Sequence, residues 1–325
     1  MTSQIQPNYV PPLSVSEQAR AFLAAPAATS EPLETMDSDS WQQLVAALDE
    51  SFLARFPESP LPEDRRDIQG VQVFVSLPTG RSTGDAVCLD LHPGALMFMG
   101  GEVCRRLGAF TALSYGMETW SVDYRMPPIH PYPAALDDAL TVYRELVEAR
   151  GAENILVSGT SAGGNLAAAL LLRAKDEGLP MPRALVLGTP EVDLTESGDS
   201  FQVNKYADTT LQSTQSINLL YANGNDLSEP YLSPLFGNLA GFPSTLIHTG
   251  TRDLFLSNSV RMHRRLLAAG AAAELHVFEA RPHGGFGGAT PEDDELREQV
   301  ISFIQHHFPV PTPETEAGEP ALLPQ

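Results

Sequence analysis

Cysteine, tryptophan and positive charge are scarce in this 325-residue chain, and no apolar run is long enough to cross a bilayer. Two cysteines, Cys88 and Cys104, cannot build a disulfide framework. Cys88 lies in the apolar run Ala86-Val87-Cys88-Leu89, as a small buried hydrophobe would. A reducing, cytoplasmic setting fits that usage. A spanning helix needs about 18 or more consecutive apolar residues, so none is expected. The first twelve residues are polar, with neither a basic stretch nor an apolar one, so no signal peptide is expected. Neither CxxC nor HxxxH spacing occurs, and no metal is expected. Lys and Arg number 20 against 41 Asp and Glu, a formal charge of -21. Nucleic acid and anionic membrane both need clustered cations to displace counterions, so neither is an expected partner. A strongly anionic substrate would also have to enter against the field of the protein.

What is present is the composition of a globular protein, 42% hydrophobic and 19% charged. Short apolar runs alternate with longer amphipathic stretches. Strands are predicted at 68–77, 86–91, 119–122, 154–158, 184–187, 244–249 and 274–278. Helices are predicted at 102–115, 133–150, 162–175, 257–269 and 291–307. That alternation implies an α/β fold with a mostly parallel sheet covered on both faces. The later strands are continuous apolar runs, as buried parallel strands should be.

Two segments break the pattern. Residues 1–66 hold two weak helical stretches, 15–23 and 40–56, and then a linker. Residues 191–230 form a polar insertion with one helical stretch at 211–221. A long insertion inside a compact domain is usually functional, and both segments are read as a cap over the catalytic face. The core is then in two parts, 67–190 and 231–309, and the Pro/Glu-rich tail 310–325 is expected to be disordered.

The pattern G-x-S-x-G occurs twice, at Gly159-Thr160-Ser161-Ala162-Gly163 and at Gly80-Arg81-Ser82-Thr83-Gly84. A nucleophilic serine of this kind sits on a sharp turn between a buried strand and a helix. Ser161 follows a strand and opens the Ala/Leu-rich helix, whereas Ser82 lies between two strands and reads as structural. Ester attack creates a negative oxygen that needs preorganised donors. One is the N–H of Ala162, next after the nucleophile. Others should come from His92-Pro93-Gly94-Ala95-Leu96, after an earlier strand. Pro93 has no N–H, which leaves Gly94 and Ala95.

Taken in order, these motifs resemble those of the hormone-sensitive-lipase-like esterases of the α/β-hydrolase superfamily. The family's H-G-G-G loop appears as His92-Pro93-Gly94-Ala95, and its Y-R-x-x-P stretch as Tyr124-Arg125-Met126-Pro127-Pro128. Gly250-Thr251-Arg252-Asp253 and Arg281-Pro282-His283-Gly284 resemble its acid and histidine motifs. The resemblance covers roughly residues 68–308. It implies an α/β-hydrolase fold of about eight strands with a helical cap, no cofactor, and oxyanion donors at Gly94 and Ala95. Family members are often dimers, so a homodimer is one option. Three features depart from the family: Pro93 and Ala95 replace glycines, Leu96 replaces an aromatic, and the glycine run after His283 is long.

The base should be a histidine, whose pKa lies near working pH. His248 and His276 fall in strands, His306 and His307 end a helix, His130 sits in a proline-rich loop, and His263 is on a basic helix. His92 is expected to order the oxyanion loop. His283, in a glycine-rich loop just after a strand, is the expected base. The acid should end a strand between nucleophile and base. Asp253 fits, and Asp193, at the start of the cap insertion, is its rival. Arg125 and Asp138 are expected to form a buried supporting pair. Leu96 and Met97 suggest a modest hydrophobic pocket, suited to small, short-to-medium acyl esters. A lactone or amide hydrolase with the same triad is the alternative enzyme. A hydrolase-like receptor that binds without cleaving is the alternative outside catalysis.

Overall fold

The computed structural model describes residues 9–25, 38–55, 58–59, 61–78 and 84–309. Ser82 and the tail expected at 310–325 lie outside the described residues. The elements run α1 (Glu17–Ala24), α2 (Ser38–Arg55), β1 (Glu63–Ile68), β2 (Val71–Ser76), β3 (Val87–Leu91), α3 (Glu102–Tyr115), β4 (Glu118–Asp123), α4 (Ala134–Arg150), β5 (Ile155–Thr160) and α5 (Ala162–Asp176). They continue with β6 (Ala184–Gly188), α6 (Ser200–Val203), α7 (Gln215–Ala222), β7 (Ser244–Gly250), α8 (Leu256–Ala268), β8 (Ala273–Phe278) and α9 (Pro291–His307).

One eight-stranded sheet has the order β1-β2-β4-β3-β5-β6-β7-β8. β2 pairs antiparallel with β1 and β4, and every pair from β4–β3 to β7–β8 is parallel. The alternation of side chains along each strand supplies two cores. Val87, Leu89 and Leu91 of β3 join Val157 of β5 and Ile247 of β7 under α4, α5 and α8. Cys88, Leu156 and Leu246 point the other way, onto Leu296, Val300 and Phe303 of α9. Strands buried on both faces must be apolar throughout, and this is why β3 and β5–β7 were legible as continuous apolar runs.

The strand predicted at 68–77 is β2, Val71–Ser76, and it forms the second arm of a hairpin whose first arm, β1, was not expected. β1 and β2 are joined by Gln69 and Gly70, both at positive φ (53° and 90°), the turn geometry that matches strand twist. β1 reads Glu-Asp-Arg-Arg-Asp-Ile, too charged to resemble a strand. At a sheet edge, charge blocks further pairing, and Arg66 still covers apolar surface by lying 4.6 Å from the Trp120 ring centroid. The core sheet therefore begins at Glu63, so the boundary expected at 66/67 falls within β1.

Of the segments read as a cap, α2 and α7 bring Trp41, Leu44, Leu48 and Ile217 onto Met97 and Phe98 of the loop after β3. α1 packs elsewhere: Val15, Ala19, Phe22 and Leu23 lie on Ala280 and Phe286, either side of His283. Its N-cap Ser16 is held by Glu292 of α9, whose carboxylate accepts from the Ser16 N–H (2.6 Å) and hydroxyl (2.8 Å).

Candidate active site

Ser161 occupies the turn between β5 and α5 with φ 58° and ψ -122°, a conformation that projects its side chain above the sheet edge. The turn demands small neighbours. A Cβ on Gly163 would lie 2.0 Å from the Leu91 carbonyl oxygen, because the first turn of α5 packs directly against the end of β3. Ser161 N–H donates to Gly188 O (2.8 Å), which fixes the elbow against β6.

The structure brings the three residues expected as a triad together. The Ser161 hydroxyl donates to His283 Nε2 at 2.9 Å, and His283 Nδ1–H donates to Asp253 Oδ1 at 3.0 Å. A carboxylate can only accept, so Nδ1 carries the proton and Nε2 is free to receive one. Asp253 is fully buried and itself held: Oδ1 also accepts from Phe255 N–H (2.9 Å), and Oδ2 from the Thr249 hydroxyl (2.7 Å). The Phe255 ring lies against the imidazole, edge to face at 4.8 Å. Burial opposes protonation of His283, but the charge and hydrogen bond of Asp253, with Asp208 and Glu191 behind it, outweigh burial and raise its pKa above the ordinary 6.5. Asp193, the rival acid, is engaged elsewhere, by Thr195, Ser197 and the Arg261 guanidinium (2.6 Å) at the base of the insertion.

The loop after β3 turns back on itself. Met97 and Phe98 donate to Gly94 O at 2.9 and 2.7 Å, and Gly94, Ala95 and Leu96 all have positive φ (120°, 54°, 57°). Gly94 is required there, since a Cβ would meet the Phe98 carbonyl at 2.3 Å. Ala95 adopts the left-handed region at a cost of about 1 kcal/mol, which the family's glycine at that place avoids. His92 stacks on Tyr124 (4.0 Å, 3°) and donates from Nδ1 to Pro93 O (2.7 Å), while the Tyr124 hydroxyl donates to His92 O (2.7 Å). Burial lowers the His92 pKa to about 4, so the ring is neutral and acts as a strut.

Two expectations need correction. Arg125 and Asp138 do form a bidentate pair (Nη2–Oδ1 2.7 Å), and Arg125 N–H also reaches the carboxylate (2.8 Å). The Arg125 side chain is nonetheless 49% exposed against 3% for Asp138, because it lies over the carboxylate from the solvent side. Leu96, whose backbone is left-handed, turns into the main core, away from α2 and α7, while Met97 packs under those two helices.

Four polar residues of the site escaped the reading of the sequence. Glu191 N–H donates to Ser161 O (3.1 Å), and its carboxylate accepts from Thr214 Oγ1 (2.6 Å) and Asn218 Nδ2 (2.9 Å), tying α7 to the elbow. Burial pushes its pKa up to about 7. Asp293, at the start of α9, accepts from Thr290 Oγ1 (2.9 Å) and Gly288 N–H (3.0 Å), and so gathers the glycine run that follows His283. Asn204 and Asp208 of the insertion reach the acid and base loops. No motif marks any of the four; Glu191, Asn204 and Asp208 carry one signal, their place in the insertion that interrupts the alternation, whereas Asp293 stands in the first turn of a helix read only as a helix.

A family model described as alpha/beta hydrolase fold matches residues 88–286. An esterase of Acinetobacter venetianus is 32% identical over 235 residues, spanning 69% of this chain and 75% of the relative. The crystal structure of another esterase superposes with TM-score 0.87 at 33% identity, covering 94% of this chain and 98% of that one. A hormone-sensitive lipase from a metagenome library does so with TM-score 0.77 at 31% identity, over 86% and 94%. The chain belongs to the hormone-sensitive-lipase-like esterases of the α/β-hydrolase family. The expected fold class and family are thereby borne out, and the triad geometry above lies within the matched span. Among the described residues, no helix is long and apolar enough to cross a membrane.

Proposed function

We propose that this chain hydrolyses small carboxylic esters of short-to-medium acyl length through an acyl-enzyme on Ser161. The observation that carries the reading is the continuous relay from Ser161 Oγ to His283 to Asp253, at 2.9 and 3.0 Å. His283 Nε2 takes the hydroxyl proton as Ser161 attacks the ester carbonyl, and returns it to the leaving alcohol. Asp253 keeps the imidazole in the tautomer that can accept that proton and balances the charge that appears on it. The developing oxyanion is met by the N–H groups of Gly94, Ala95 and Ala162, at the start of a helix that favours negative charge. Water activated by His283 then releases the acid. The buried apolar cluster of Met97, Phe98, Trp41 and Ile217 lies beside this loop, and the proposal seats a modest acyl or alcohol group next to it. A homodimer and a cytoplasmic location belong to the same proposal. The two buried free thiols support the second, and light scattering at twice the chain mass is the expected outcome for the first.

The test has two arms. A fluorophosphonate should label the full chain stoichiometrically on Ser161, and Ser161→Ala should abolish both labelling and hydrolysis. Nitrophenyl esters from acetate to palmitate should be turned over fastest in the short-to-medium range. Labelling at another serine, or an active Ser161→Ala protein, would overturn the assignment. A maximum at palmitate would overturn the substrate class.

A further inference from the structure

The insertion between β6 and β7 sends a polar segment under the acid and base loops. Asn204 Nδ2 donates to the carbonyls of Thr251 (3.1 Å) and Asp253 (2.8 Å). Four residues on, buried Asp208 takes the Leu254 N–H (2.9 Å) and the His283 N–H (3.3 Å) on Oδ2. Its Oδ1 takes the N–H groups of Thr210 and Leu211 (2.9 and 3.0 Å). The same segment is anchored to the start of α8, since Ser200 Oγ donates to Leu254 O (2.6 Å) and accepts from Ser257 N–H (3.0 Å). Phe201 packs on Phe255, which packs on the His283 ring. One short stretch thus touches the main chain of both residues whose separation sets the relay.

We infer that Asp208 and Asn204 are positioning residues: the cap insertion acts as a clamp that holds the acid loop and the base loop at their working distance, with Asp208 supplying a second negative charge beneath His283. The inference deepens the proposed hydrolase mechanism and rests on it. A carboxylate is needed at 208 because every direction it presents is met by a backbone N–H. An amide there would turn its NH2 group against two of those donors, whichever way it faced. Four donors also favour the ionised form, against the burial that raises its pKa. The acidic groups facing His283 are Asp253 from the β7 loop, Asp208 from the insertion and Glu191 from the β6 loop. Arg281, in the base loop itself, is held by Asp293 at 3.4 Å.

The experiment compares full-length wild type, Asp208→Asn and Asn204→Ala on p-nitrophenyl butyrate across pH 5–9, with Ser161→Ala as control. Asp208→Asn should lower kcat by about 10- to 100-fold, the effect of a small misplacement of reacting groups, with KM within about threefold. Loss of its charge should also move the acid limb of kcat/KM down by about half to one pH unit, which a purely structural role would not do. Asn204→Ala removes no charge, so it should lower kcat about 3- to 10-fold and leave the limb in place. An Asp208→Asn protein with wild-type kcat and an unmoved limb would overturn the clamp. If that variant melts below the assay temperature, wild-type kcat in Asn204→Ala overturns it instead. Either failure alongside an inactive Ser161→Ala leaves the hydrolase reading standing, whereas an active Ser161→Ala removes both.

Discussion

Replacing Asp253 by Asn asks how much of the relay depends on charge and how much on orientation. Oδ1 of Asp253 receives both the His283 Nδ1–H and the Phe255 N–H, while Oδ2 receives only a hydroxyl, that of Thr249. A hydroxyl can reverse and accept, and a backbone N–H cannot. The amide oxygen of Asn must therefore sit at the Oδ1 place, with its NH2 donating to a turned Thr249. In that arrangement His283 keeps its tautomer and its orientation, and what disappears is the negative charge. Charges about 4 Å apart interact by about 4 kcal/mol at the effective dielectric that suits protein sites. The imidazolium formed in the transition state loses that support, a fall of about 10³-fold in kcat. The unprotected imidazole should also protonate less readily, because burial is the force that lowers its pKa. The acid limb of kcat/KM, which should follow the raised pKa of His283, should then move to lower pH than in the wild type. Steady-state rates on p-nitrophenyl butyrate from pH 5 to 9 read both effects. A loss below tenfold with an unmoved limb would refute Asp253 as the orienting acid. A loss nearer 10⁴-fold would refute the retained tautomer, since it would mean that the amide presents its NH2 to His283.

Asp90, buried in the middle of β3, has its pKa raised to about 7 by burial, with the Ser121 and Thr111 hydroxyls opposing. Its folded value lies above its unfolded one, so the native state binds more protons between about pH 4 and 7. Stability must therefore fall as pH rises through that window, by a few kcal/mol in all, each tenfold change in proton affinity being worth on the order of 1.4 kcal/mol. Asp90→Asn should flatten that slope in urea unfolding at pH 5 and pH 8, and an unchanged slope would sink the reading. Phe22 of α1 meets Phe286 edge to face at 5.9 Å, three residues past His283. Phe22→Ala should cost about 1–3 kcal/mol locally and speed hydrogen exchange over residues 284–288, with kcat falling severalfold. Exchange as slow as in the wild type would show that α1 does not brace the base loop.

What could be read from the chain divides along a physical line. α3 and α9 have the bounds read for them, because a long amphipathic stretch with a firm start declares itself: Thr290 caps Asp293, and Pro291 opens α9. Ser161 and Asp253 were legible because each follows a buried apolar strand, and His283 because it follows the last strand in a chain order that the topology restricts. β1 was not, because Glu63–Ile68 is a strand only through its partner β2 and its place at the edge. Asn204, Asp208 and Glu191 were not, for a related reason. A polar residue in a polar insertion carries no mark of burial until the insertion folds onto something. Here it folds onto the loops that carry the relay, and there Asp208 and Glu191 lose their hydration. Removing a carboxylate from water is tolerable only when fixed donors replace that water. The donors are the N–H groups of Leu254, His283, Thr210 and Leu211 for one, and Thr214 and Asn218 for the other. An insertion that only covered a surface would not need buried carboxyl groups at its root. An insertion that sets the distance between acid and base, as inferred for this one, does, because a carboxylate ringed by main-chain donors fixes loop positions that apolar packing alone would leave free to slide.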